Sequence, residues 1–337
     1  MATTINLDCE SDCKEIHESL GNLSLLTQTL AVKCQIQRRQ MREKYMEMYG
    51  EDLVSCLQKR TTQLPQSEGD KPGESSGAAA GSAMALWMLD PIERDAVVAR
   101  EALDQKSGVT NFRALVEIFV GRKSSHVARM KQVYQVRFGR VMDQDILCLE
   151  PPQYPYKKIL VALVASHKAH HADLSQDIAK CDARRLYQTG EGRPGAIDEA
   201  VVLELLTKRS IPQLSLTFST YKHIYGHDYT KSLKNENYGE FEDALDVVVK
   251  CIYHPPKYYA QTLYGSIKGT TKDKGGLTRV ILSRAEVDLE EIERVYRKKY
   301  GKEIIEAICE SIPPGDYRDF LVALAKKTST STPSAFS

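Results

Sequence analysis

The sequence predicts an all-α protein built from four copies of one helical unit. First, a basic residue stands 17 positions before a glycine four times: Lys33 and Gly50, Arg122 and Gly139, Arg209 and Gly226, Arg284 and Gly301. Second, an aromatic residue precedes each glycine (Tyr49, Phe138, Tyr225, Tyr300), and another stands four residues earlier (Tyr45, Tyr134, Tyr221, Tyr296). An i, i+4 aromatic pair ending in glycine is one helix face with a C-terminal stop. Third, strand signals are weak, with few alternating β-branched runs and no Asn-Gly hairpin.

Each unit can be followed in order. An apolar helix precedes the basic residue, as at 201–206 and 277–282, and the aromatic helix runs from there to the glycine. A short helical stretch follows, as at 302–308, then a turn such as Gly315-Asp316-Tyr317 or Gly239-Glu240-Phe241. An almost continuous apolar helix closes the unit, at 83–89, 159–165, 244–252 and 320–325. The reading is about four or five helices per unit, with units at 12–95, 96–167, 172–255 and 256–327. Residues 61–83 hold Pro65, Gly69, Pro72, Gly73, Gly77 and Gly81. That composition buries little apolar surface and reads as a flexible insert inside the first unit. Residues 328–337 read as a disordered polar tail.

The chain has 337 residues, of which 42% are hydrophobic and 27% charged, ordinary values for a soluble protein of one to three domains. Lys+Arg 46 against Asp+Glu 45 leaves a net charge of +1. A dedicated nucleic-acid binder carries a basic surplus, so that class is excluded, though local basic patches are not. The eight cysteines show no C-x-x-C pair or zinc spacing. The N-terminus turns acidic with no apolar core of a secretory signal, and stretches such as 159–165 are far shorter than a membrane span. The expectation is a cytoplasmic chain with reduced thiols.

Four helical units built on this spacing, closing on Gly-Asp-Tyr-Arg-Asp-Phe-Leu at 315–321, resemble the annexins. Leu-Asp-Pro-Ile-Glu-Arg-Asp-Ala at 89–96 and Gly-Glu-Gly-Arg at 190–193 resemble the plant-type branch. The resemblance covers about residues 12–327. It implies a curved disc of four annexin repeats with five helices each, whose loops bind calcium and anionic phospholipid. Calcium takes about 6–8 oxygen ligands. A family loop supplies carbonyls from a Gly-x-Gly-Thr turn, which glycine allows to run tight, and a carboxylate follows roughly forty residues on. Water and a lipid phosphate fill the remaining positions.

The third unit keeps most of this pattern: Gly190-Glu191-Gly192-Arg193-Pro194-Gly195, with Glu236 lying 41 residues beyond Gly195. The resemblance assigns Gly192, Arg193, Gly195 and Glu236 as its calcium site. The same glycines also suit plain turns. The other loops depart from the pattern. The first reads Glu18-Ser19-Leu20-Gly21-Asn22-Leu23-Ser24, without the glycine pair. The second keeps only Gly108 of the two glycines, with Glu150 the nearest acid. The fourth has Thr271 and Lys272 in the turn and Ser311 or Ile312 at the acid position. Calcium loops are therefore expected to be degenerate in units one, two and four.

The resemblance also implies a central polar path, onto which Asp95, Glu117, Arg122 and Arg279 fall. Glu117 and Arg279 each stand five residues before the basic residue of their own unit. Charges in a helical core demand partners, so an ion path and a salt-bridge cluster are both open readings.

His167, His170 and His171 cluster, and His223 and His227 have i, i+4 spacing. Zinc ligation and plain surface histidines are the two readings. His17 and Cys251 match positions that the plant branch links with redox chemistry, but Val120 replaces the second sulfur. The segment 294–302 is basic, which suits a solvated helix face or anionic headgroups. No nucleophile and base can be paired, so the expectation is non-enzymatic. The reading is a cytoplasmic, peripheral membrane protein that binds anionic phospholipid with calcium and has possible protein partners. Its alternative is a calcium-independent helical scaffold that contacts proteins or lipids.

Overall fold

The computed structural model describes residues 2–62, 76–104, 110–149, 155–165, 174–234, 239–269 and 273–329. Every regular element among them is a helix, and the helices fall into four sets of five. The first set is α1 (Ala2–Glu18), α2 (Leu23–Ala31), α3 (Gln35–Tyr49), α4 (Leu53–Thr62) and α5 (Ser76–Met88). The second is α6 (Pro91–Leu103), α7 (Phe112–Gly121), α8 (Ser124–Phe138), α9 (Met142–Leu147) and α10 (Pro155–Val164). The third is α11 (Gln176–Gln188), α12 (Glu199–Lys208), α13 (Ile211–Tyr225), α14 (Tyr229–Ser232) and α15 (Glu240–Tyr253). The fourth is α16 (Pro255–Lys268), α17 (Lys274–Arg284), α18 (Leu289–Tyr300), α19 (Ile304–Ser311) and α20 (Asp316–Ser329).

The repeated glycine is what stops the third helix of each set. Gly50, Gly139, Gly226 and Gly301 have φ of 69°, 64°, 80° and 72°, a left-handed turn that costs glycine little. Each donates its N–H to the carbonyl four residues back, on Met46, Gln135, Lys222 and Arg297, at 2.9 Å. The aromatic pair before each glycine meets ring to ring, with centroids 4.7, 5.1, 4.8 and 4.9 Å apart in chain order. These tilted or edge-on geometries are the ones aromatic quadrupoles favour.

The chain divides into two compact units, one of residues 1–94 and 259–337, the other of 95–258. In the first, α2, α5, α17 and α20 pack together, and Leu26, Leu30, Trp87, Phe320, Leu321 and Leu324 are buried there. Trp87, the only tryptophan, donates its indole N–H to the Leu30 carbonyl at 3.0 Å. The guanidinium of Arg38 lies 3.8 Å from its ring centroid. In the second unit α7, α10, α12, α13 and α15 pack around Leu115, Phe119, Leu160, Leu205, Phe218 and Val248, all buried.

The structure corrects the extent of the first unit's insert. Residues 76–83, assigned to it by composition, form the first two turns of α5. The small residues serve close packing: α5 lies against α4 and α2, with Ala80, Ala83 and Ala85 completely buried. Residues 61 and 62 continue α4, and 63–75 lie outside the described residues. At the other end α20 runs to Ser329, past the expected start of the tail at 328; residues 330–337 lie outside the described residues.

Candidate functional site

The candidate loop joins α11 to α12. It is closed at its base by the Asp198 N–H donating to the Thr189 carbonyl at 2.8 Å. Asp198 then caps α12, accepting from the N–H groups of Ala200 at 3.1 Å and Val201 at 3.3 Å, as a short acceptor at a helix start does. Within the loop the Gly192 N–H reaches the Tyr187 carbonyl at 2.8 Å, and the Arg193 N–H reaches that of Gly190 at 3.1 Å.

Two glycines are demanded by this path. A Cβ on Gly192 would stand 2.8 Å from Cε1 of Tyr187. Gly195 has φ of 103°, which L side chains avoid. The Tyr187 ring is itself fixed, stacked on Tyr225 with centroids 4.1 Å apart. The loop thus rests on the aromatic end of α13.

Glu191 does not point to solvent as a free ligand. One of its oxygens accepts from the Tyr221 hydroxyl at 2.9 Å, and the other lies 3.2 Å from Nε2 of His227. Burial, with the Glu191 carboxylate beside it, pushes the Tyr221 phenol well above its ordinary value, so it stays a donor. What the loop does offer is backbone oxygen. Residues 191–196 are exposed, and the carbonyls of Gly192, Arg193 and Gly195 accept no hydrogen bond among the described residues. Exposed, unpaired carbonyls are the hard oxygen donors a calcium ion takes. Glu236 lies outside the described residues. Among those described, no three His, Cys, Asp or Glu side chains group as metal ligands.

The other loops differ. In the first set Asn22 caps α2, accepting from the Leu25 N–H at 3.2 Å, and its own N–H closes a turn on the Ser19 carbonyl at 2.7 Å. In the fourth set Asp273, at the end of the loop, caps α17 by accepting from the Gly276 N–H at 2.8 Å, and Glu310, beside the expected acid position, is held by Lys302 at 2.6 Å and by Lys268 at 3.4 Å. Residues 105–109, Glu150 and 270–272 lie outside the described residues, as do His167, His170 and His171.

Asp95 and Arg122 are brought together: Arg122 donates to both carboxylate oxygens, at 2.7 and 3.1 Å, and Nε2 of His126 lies 2.7 Å from Oδ2. Burial alone would raise the Asp95 pKa, but the His126 hydrogen bond and the Arg122 charge outweigh it and hold the carboxyl below its usual range. Glu117, also buried, accepts from the Tyr258 hydroxyl at 3.1 Å. Arg279 belongs to the other compact unit.

The pairing recurs. Arg209 donates to Asp182 at 2.7 and 3.0 Å, and Lys33 bonds Asp12. The sequence placed Asp95 and Arg122 together on the polar path, but not Asp182 with Arg209 or Asp12 with Lys33; the acid lies 27 residues upstream in the second and third units and 21 in the first. It also missed His126 and Glu191. His227, read with His223 as a potential zinc pair, lies beyond the Gly226 stop and faces Glu191 instead. His17 stacks on Tyr49 at 3.9 Å and lies 2.8 Å from the Tyr45 hydroxyl.

Four five-helix sets, each with a left-handed glycine ending its third helix and a loop between its first two, define an annexin-type repeat protein. The annexin family model matches residues 181–248 and 258–324, within the third and fourth repeats. The chain is 31% identical to annexin A13 of Mus musculus over 322 residues, covering 94% of this chain and 95% of that protein. It is 30% identical to annexin D2 of Arabidopsis thaliana over 320 residues, 94% of each chain. The solved structure of annexin III superposes with a TM-score of 0.80 at 28% identity, covering 94% of this chain and 93% of that one. The chain belongs to the annexin family, whose members are known for calcium-dependent phospholipid binding. Mammalian and plant members match it about equally well.

Proposed function

We propose that this chain binds anionic phospholipid surfaces through calcium held at the third repeat, by the carbonyls of Gly192, Arg193 and Gly195 with the carboxylate of Glu236. The observation that carries the reading is the exposed loop whose three carbonyls have no hydrogen bond among the described residues. Calcium bound there supplies a divalent charge with open positions for lipid phosphate. The chain's own part is to hold the carbonyls outward: Tyr187 and Tyr225 brace the loop from below, and Asp198 pins its return.

The site is a binding site, with no reaction attached. Repeats at 12–95, 96–167, 172–255 and 256–327 act as the structural domains, and the third is the one whose loop sequence keeps most of the calcium pattern. No described helix is long and apolar enough to cross a membrane, which suits attachment from the aqueous, cytoplasmic side. The plant-type reading rests on residues 89–96 and 190–193 and on the plant relatives among the matches.

The test is cosedimentation with phosphatidylserine vesicles, with calcium and with a chelator. Glu236→Gln is expected to lower the calcium-dependent pellet while leaving helicity unchanged; an unaltered pellet defeats the assignment. The second reading, a calcium-independent scaffold, draws on the first loop's capped turn and on Glu310 already neutralised by two lysines. Equal pellets with calcium and with chelator favour it.

A further inference from the structure

Helix α1 carries Cys9, Cys13 and His17 at successive i, i+4 positions, one row along a single helix face. The two cysteines are buried: Cys9 is 8% exposed and Cys13 not at all. Helix α1 packs on α3, and the Cys13 thiol donates to the Met41 carbonyl at 3.5 Å. The Cys9 and Cys13 thiols lie within hydrogen-bonding reach of each other. His17 is otherwise engaged, held by the Tyr45 hydroxyl and stacked on Tyr49.

Packing alone does not call for these sulfurs. His17, Tyr187 and Tyr264 each stack on the aromatic residue before a stop glycine, with centroids 3.9, 4.1 and 4.0 Å apart. Four residues before them stand Cys13, Ala183 and Ala260, all completely buried. Eight residues before them stand Cys9, Ala179 and Pro256. Alanine therefore fills both places in the third repeat. Nor does the pair suit a disulfide. Side chains at i, i+4 hold their Cβ atoms about 5–6 Å apart, whereas a disulfide needs about 3.5–4.5 Å. Both cysteines are free. Burial pushes the Cys13 thiol up to about 12 and raises that of Cys9 as well, so each keeps its proton until a cation displaces it.

We propose that Cys9 and Cys13 form a two-coordinate site for a soft monovalent cation of the copper(I) type. Thiolate sulfur selects such ions, and a sulfur–metal–sulfur bridge spans a gap too wide for a direct sulfur–sulfur bond. Zinc would need four ligands, and no third His, Cys, Asp or Glu joins the pair among the described residues. On uptake each thiol loses its proton and forms a sulfur–copper bond. Two protons leave, copper stays in its +1 state, and the bridge carries one negative charge. The ammonium groups of Lys33 and Lys44 act on Cys9 to offset that charge, against the carboxylate of Asp12. The site uses neither calcium nor Glu236, so it stands or falls separately from the third-repeat loop.

The test is anaerobic titration of the full chain with copper(I) held by bicinchoninate, followed by the absorbance of that chelate. The parent is the chain with its exposed Cys34, Cys148, Cys181 and Cys309 changed to Ser. The wild type and the parent are each expected to withdraw copper(I) into the α1 pair, and Cys9→Ala and Cys13→Ala in the parent should each abolish that uptake. Both alanines copy the third repeat, so helicity should hold. X-ray absorption at the copper edge of the loaded parent, which needs neither alanine variant, should show a shell of two sulfurs. Copper(I) should also raise the thermal midpoint of the parent and leave that of Cys13→Ala unmoved. Absence of uptake by the parent, uptake that persists in both alanine variants, or a shell with three or more ligands overturns the proposal. Glu236→Gln is expected to take up copper(I) like the wild type, which separates this site from the calcium loop.

Discussion

Arg284 lies with its guanidinium carbon 4.6 Å from the ring centroid of Tyr259, where Arg209 instead holds Asp182 through two hydrogen bonds. Tyr259 stands five residues before Tyr264, as Asp182 stands five before Tyr187, and both later tyrosines stack on the end of the third helix. A ring therefore occupies the acid's position in the fourth repeat. The missing negative charge comes from Asp288, one turn on, which accepts from Nε of Arg284 at 2.7 Å and also from Nη2.

The exchange predicts unequal costs. Asp182 is 3% exposed, and Asp182→Asn leaves the partly solvated Arg209 charge facing a neutral amide, a loss of about 3 kcal/mol. Asp288→Asn leaves Arg284 its tyrosine face and should lose no more than about 2 kcal/mol, the size of one charged hydrogen bond. Urea denaturation of both variants measures the difference. Equal losses would show that Tyr259 contributes nothing to holding Arg284.

Acid sensitivity should concentrate on Asp95. Its carboxyl is held below the ordinary range, with the opposing effect of burial outweighed by His126 and Arg122. A depressed carboxyl stabilises the fold above the unfolded-state value of about 3.9, and that stability is lost as pH falls through the folded value. Asp95→Asn should therefore lower stability at neutral pH and flatten the acid limb of the stability curve. An acid limb as steep as the wild type's means that other carboxylates dominate it.

The repeat was legible because its signals are local. A glycine after an aromatic pair needs only a few neighbours to be read as a left-handed stop, and Gly50, Gly139, Gly226 and Gly301 all are. Asp95 was placed beside Arg122 only through the family resemblance, and Asp182 was not placed at all, because each acid lies on a different helix from its arginine, a whole loop away. The start of α5 was misread for a physical reason: Gly77, Ala80 and Gly81 look like a loop in composition, yet small side chains are what close helix packing requires. Of the candidate site, the glycines were readable and the commitment of Glu191 to Tyr221 and His227 was not, since it depends on where α13 ends.

Alkaline behaviour follows from the buried phenols. Burial pushes Tyr134, Tyr296 and Tyr317 up to about 12, against about 10 in an unfolded chain. A raised phenol leaves stability intact below the unfolded value and removes it as pH rises through the folded one. Phenolate absorbance should therefore rise in two steps, exposed tyrosines near pH 10 and the buried ones, which include Tyr45, Tyr221 and Tyr229, only as the helical circular dichroism collapses. A single early step that releases every tyrosine while the helices persist would contradict their burial.

The glycines of the third-repeat loop should fail for different reasons. Gly192→Ala places a Cβ 2.8 Å from Cε1 and 2.9 Å from the backbone oxygen of Tyr187. The ring and the loop must part, and the stack on Tyr225 loosens. Gly195→Ala meets nothing within 4 Å but keeps a φ of 103°, so its cost is backbone strain of about 1–3 kcal/mol. The first variant should therefore reduce the near-ultraviolet tyrosine signal, whereas the second should leave it intact. Both turn the Gly192–Gly195 carbonyls away from their outward path and should lower calcium-dependent vesicle binding. Gly21→Ala is the control: it meets nothing within 4 Å and has no positive φ, and it sits in a first-repeat turn whose Asn22 already caps a helix. Loss of vesicle binding in Gly21→Ala, or its survival in both third-loop variants, would place the calcium contact outside the third repeat.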